Sequence, residues 1–147
     1  MLRLFQLLVW VVAVLSAYSV DAQMPNVTAP DDAAVYFIKP VNGDIIDRDE
    51  SEQITVVFGL KGMQVAPAGV GTPNSGHHHL LINLDQLPNL NAPLPASDQV
   101  VHFGKGQTST SLKLPPGKHR LQLILGNQVH IPHDPPVISE VIEIEVR

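Results

Sequence analysis

From Val35 to the C-terminus the apolar residues alternate with polar ones, and that period of two admits strands and little else. Val35 to Ile38 reads as a first short strand, stopped by Lys39-Pro40. Ile54, Val56, Phe58 and Leu60 form a second alternating set, and Leu80, Ile82 and Leu84 a third. Val101 and Phe103 flank His102 in a fourth. Thr108, Thr110, Leu112 and Leu114 make a fifth. Leu121, Leu123 and Leu125 follow a Pro115-Pro116-Gly117 turn, and Ile142, Ile144 and Val146 close the chain. Seven short strands separated by Pro, Gly, Asn and Asp predict an all-β, two-sheet sandwich of the immunoglobulin or fibronectin type. The chain has no Cys, and its only Trp is Trp10, so neither the disulfide nor the core Trp of antibody domains is present.

The N-terminus reads differently. Arg3 is followed by a run from Leu4 to Leu15 that is apolar except for Gln6. Val20-Asp21-Ala22 then sets small residues at the −3 and −1 positions of a signal-peptidase site. A spanning helix needs roughly 20 consecutive apolar residues, and this run is shorter. The expectation is a cleaved signal peptide over 1–22, a disordered lead-in over 23–33 and one β-sandwich domain over 34–147, periplasmic or secreted, with no transmembrane segment in the mature protein. A formal net charge of −5 argues against nucleic acid, which calls for a basic stripe. No Gly-x-Ser-x-Gly elbow, cysteine nucleophile or phosphate-cradling loop is present.

Seven histidines are a surplus for so small a domain. Six fall in three places: His77-His78-His79, His102, and His130 with His133. In such a sandwich alternate loops gather at one end. The His77–His79 run is expected to open the third strand just after the long loop Gly62 to Gly76. His102 is expected near the end of the fourth strand, and His130 and His133 in the loop before the last. His119 starts the sixth strand, which puts it at the other end and reads as a surface or turn residue. Strand parity turns His78 toward the core with Leu80, and His77 and His79 together to the opposite face. A His-x-His pair on one strand face can hold one ion, and neutral imidazole suits Zn²⁺ and Cu²⁺. The candidate metal ligands are therefore His77, His79, His102, His130 and His133, for a copper or zinc ion. Their affinity for it is expected to fall as pH drops through roughly 6.5 to 5. Met63 lies toward the same end, where a thioether favours Cu⁺. It also reads as a residue capping the core. Asp134 reads as an Asp-Pro turn opener that could alternatively orient an imidazole.

Lys61-Gly62-Met63, Val65-Ala66-Pro67-Ala68-Gly69, Gly76-His77-His78-His79-Leu80-Leu81, His102-Phe103-Gly104, Gly106-Gln107-Thr108, Leu114-Pro115-Pro116-Gly117-Lys118-His119 and His130-Ile131-Pro132-His133-Asp134-Pro135-Pro136 carry a resemblance. They resemble an exported bacterial family known as domain of unknown function 4399, over about Val35 to Arg147. The resemblance implies an envelope or secreted location and supplies no activity. Three classes of function stay open: a metal-binding protein for copper or zinc, a non-catalytic interaction module whose histidines form a structural network, and a copper enzyme resembling superoxide dismutase. Any protein partner is left unassigned.

Overall fold

The computed structural model describes residues 28–147. The expected signal peptide and residues 23–27 of the expected lead-in lie outside the described residues. Within the described part Thr28 bridges Asp134 and Ala29 is buried in the core.

Among the described residues nine strands follow one another: β1 (Ala34–Lys39), β2 (Ile45–Ile46), β3 (Ile54–Lys61), β4 (Gln64–Val65), β5 (Ser75–Ile82), β6 (Val100–His102), β7 (Ser109–Leu112), β8 (Gly117–Gly126) and β9 (Ile142–Val146). Two of them, β2 and β4, are only two residues long, and the other seven match the seven alternating sets. Among the described residues there is no helix. The strands form a three-stranded sheet, β1-β3-β7, and a six-stranded sheet, β2-β9-β8-β5-β4 with β6 also paired to β5. Between them lies the main core, with Val35, Ile54, Val56 and Phe58 from one sheet and Leu80, Leu121, Leu123, Leu125, Ile144 and Val146 from the other. The chain is thus an all-β two-sheet sandwich, built by the burial of one face of each alternating strand.

β5 departs from simple alternation, because every one of its eight residues is buried. It sits inside the larger sheet, flanked by β8 on one side and by β4 and β6 on the other. Its inner face meets the main core. Its outer face is covered by the segment 83–99, where Leu84, Leu90 and Leu94 pack with Leu81, Val100, Ile124 and Ile138 into a second, smaller core. The histidine run was expected to open this strand, but it occupies the third to fifth positions. Parallel pairing of Gln64 and Val65 with Ser75 and Gly76 extends the strand toward its N-terminus. At the other end Asn83 takes a positive φ of 53°. That turn ends the strand before Leu84, which joins the smaller core instead of continuing the inward row.

Candidate metal centre

β5 determines where the first two imidazoles go. His77 and His79 point to the outer face together, and both are fully buried. β6 runs antiparallel beside β5 and sets His102 directly opposite His79. The turn after β8 brings in His130. Ring centroids are 4.8 Å apart for His77 and His79, 4.9 Å for His77 and His102, and 5.0 Å for His77 and His130. They are 5.1 Å apart for His79 and His102, 5.9 Å for His79 and His130, and 4.5 Å for His102 and His130. Four imidazoles from three distant chain segments therefore face one another. Nitrogens of His77, His79 and His102 lie within 4.8 Å of one another, a group that could hold a metal ion. The Nε2 atoms of His102 and His130 are 3.0 Å apart. That spacing fits an N–H···N hydrogen bond between neutral rings. It also lies inside the about 2.9–3.4 Å expected of two nitrogens sharing an ion at 2.0–2.1 Å.

The backbone is cut away to admit these rings. A Cβ on Gly104 would lie 2.4 Å from His102 Cε1, and a Cβ on Gly126 would lie 2.7 Å from His79 Cε1. Loop-to-loop hydrogen bonds tie the surrounding turns into one rim. Ala68 N donates to Gly104 O, Gly69 N to Gln128 O and Leu94 N to His130 O, each at 2.9 Å. The centre has a dry half and a wet half: His77 and His79 are enclosed, His130 is half-buried and His102 is exposed.

Burial also decides protonation. His77 is lowered to about 4, by desolvation first and then by the neighbouring His102, His130, His78 and His133. His79 is lowered to about 3, by burial and then by His77, His102 and His130. His102 is lowered too, by burial and then by His130. A charged imidazolium is costly in such surroundings, so the inner pair is held in the neutral form that binds metals. Neither ring nitrogen of His77 or of His79 has a hydrogen-bond partner.

The remaining histidines go elsewhere. His78 faces the main core as parity predicts, with its ring 4.7 Å from that of Phe58. Burial lowers it to about 4, and the peptides of Gly59 and Gln107 partly offset the shift without forming a hydrogen bond of good geometry. His133 is buried beside Gly76, with Nε2 3.2 Å from Ser75 O, so one of its nitrogens is engaged by the backbone. Its pKa is lowered by burial, against the opposing effect of the Leu125 and Ser75 peptides. Met63 packs against the main core, the side that His78 faces. Asp134 is exposed. His119 is not the surface residue expected. It is buried at the far end of the sandwich, with Nε2 2.8 Å from Pro115 O and Nδ1 3.0 Å from Asn83 Nδ2. What residue-by-residue reading missed is the support: Gly104, Gly126 and the turn that carries His130. In sequence, Gly104-Lys105-Gly106 has only the composition of a hairpin turn.

No match was found among curated proteins. Among solved structures, an endo-beta-1,4-mannanase from Thermotoga petrophila is similar at 17% identity with a TM-score of 0.45, over 79% of this chain. The chain spans only 20% of that protein. Over residues 56–147, which include all five candidate ligands, the sequence matches the family model described as Domain of unknown function (DUF4399), and the chain belongs to that family.

Proposed function

We propose that this domain binds one divalent copper or zinc ion at the outer face of its larger sheet, as an exported protein of the periplasm or the extracellular space that stores or hands on the metal. The observation that carries the reading is the convergence of four imidazoles. An imidazole bound through nitrogen has its centroid about 3.2 Å from the ion, so four tetrahedral rings have centroids about 5.2 Å apart. The six spacings here run from 4.5 to 5.9 Å and straddle that value. His77 and His79 are the inner ligands in this reading, His102 and His130 the outer ones. His133 stands outside these four, with Nε2 engaged by Ser75 O and Nδ1 without a partner within the protein.

The donor set narrows the ion. Nitrogen alone suits Cu²⁺ and Zn²⁺, whereas Ca²⁺ and Mg²⁺ take oxygen. Divalent copper is expected to bind tighter than zinc to the same nitrogens. The thioether of Met63, set against the main core, gives Cu⁺ no soft ligand there. Exposure of His102 leaves one edge open, which suits loading and release more than permanent storage.

The 3.0 Å contact between His102 and His130 supports a second reading, a histidine network with no metal. Calorimetric titration of the protein with Cu²⁺, Cu⁺ and Zn²⁺, beside a His77→Ala/His79→Ala variant, separates the two. The metal reading expects wild-type binding tighter than about micromolar, roughly −8.2 kcal/mol, and none in the variant. Equal binding by the two proteins, or binding by neither, leaves the network reading.

A further inference from the structure

His130 stands in an unusual backbone conformation, and one neighbour accounts for it. Its φ is +68°, in the left-handed region that side-chain-bearing residues rarely enter. A glycine would take that conformation freely, so a histidine there signals a ring that is wanted at that point. The turn that imposes it is organised around Asn127, which is 1% exposed. Asn127 Oδ1 accepts from Val129 N at 2.9 Å and from Ile131 N at 3.1 Å. Asn127 O accepts from His130 N, and Asn127 N donates to Ile131 O, both at 2.9 Å. Four hydrogen bonds from one residue thus close a loop over His130. The loop sits directly after Gly126, the residue whose bare backbone admits His79.

We infer that Asn127 is a positioning residue of the centre: its side-chain oxygen holds the 127–131 turn so that the His130 imidazole is presented to His102. The local logic is that an Asn oxygen accepts backbone N–H groups two and four residues on, which neither Ala nor Val can do. Without it, Val129 N and Ile131 N lose their partner, and only the two backbone bonds, His130 N to Asn127 O and Asn127 N to Ile131 O, are left to hold the left-handed state of His130. The consequence for metal affinity rests on the metal reading above. The consequence for the His130–His102 contact does not.

The two are tested together on Asn127→Ala and Asn127→Ser. Nitrogen-15 imidazole spectra of the metal-free protein report the His102–His130 contact, and amide exchange in β5 and β8 reports the fold. The contact is expected to vanish in Asn127→Ala and to weaken in Asn127→Ser, whose hydroxyl can still accept from Val129 N, while the sheet stays protected. Cu²⁺ affinity is expected to fall about 10–100-fold in Asn127→Ala. In a His130→Ala background the same substitution is expected to change affinity less than about twofold, because effects through one ligand do not add. An unaltered contact overturns the inference, and so does an equal affinity loss in the His130→Ala background, which would make Asn127 a general scaffold residue. Should Asn127→Ala not fold, Asn127→Ser reads the same contact. If wild type binds no ion while the contact depends on Asn127, the positioning role stands and the metal reading falls.

Discussion

His119 and the His77–His79 pair are imidazoles buried in the same sheet, yet they are provided for in opposite ways. Both nitrogens of His119 have partners, Pro115 O and the Asn83 amide. All four nitrogens of the pair lack one within the protein. Buried polar groups kept for structure are nearly always hydrogen-bonded, since an orphaned one costs about 1–3 kcal/mol. His119 follows that rule. Two histidines on one strand face without internal partners, beside His102, form a group that could hold a metal ion. The comparison teaches that burial alone does not mark a site. Unpartnered ring nitrogens that converge on one another do; His78 also lacks partners, but it faces Phe58 in the core.

The largest expected effect breaks the comparison if it fails. His77→Ala with His79→Ala is expected to abolish Cu²⁺ binding, by more than about 100-fold, and His119→Ala to leave it unchanged. Isothermal titration of the three proteins decides, and a loss in His119→Ala would mean the two ends of the sandwich are not independent. Acid comes next. His77, His78 and His79 titrate near 4, 4 and 3 when folded, against 6.5 in the unfolded chain. Below pH 6.5 the unfolded chain takes up protons that the folded one refuses, so metal-free stability falls as pH drops from about 6.5 and levels off only near 3 to 4. Urea midpoints between pH 7 and pH 4 measure this. The same burial revises the pH profile expected of unperturbed imidazole: the inner pair stays neutral, and competent to bind, to about pH 4. A release midpoint near 6.5 would show that the inner pair does not control the ion.

Smaller effects sharpen the picture. Gly126→Ala places a methyl 2.7 Å from His79 Cε1 and displaces that ring. An affinity loss of about tenfold is expected by titration, the size typical of disturbing a ligand's support. The smallest effect on binding is expected from His119→Ala, whose change is in stability. Losing two hydrogen bonds and leaving a hole is expected to lower stability by about 2–4 kcal/mol, read from urea unfolding. If His119→Ala is neutral in both assays, the partnered ring is not structural either, and the contrast drawn above loses one side.

Much of this was legible in the residues themselves. Period-two alternation announced the seven longer strands, and parity alone separated His78 from His77 and His79, because neighbouring side chains of a strand cannot share a face. The two-residue strands β2 and β4 were not legible, since Ile45–Ile46 and Gln64–Val65 are too short to show a period. They exist only through pairing with β9 and β5. The burial of His119 escaped notice for a related reason. It depends on Asn83 and Pro115, one of them 36 residues away, and no local pattern encodes such a contact.

The order of residues by itself determined that this chain is strand-built, that its histidines fall in three clusters and that two of them share one strand face. Those are consequences of backbone geometry, which repeats every two residues wherever a strand forms. Only the tertiary structure decided that β5 would be buried on both faces, that the 127–131 turn would fold around Asn127, and that His102 and His130 would meet. The first and the last depend on distant segments excluding water together, and the turn on the burial of Asn127. Their burial holds the inner imidazoles neutral, and their convergence makes four scattered histidines one candidate site.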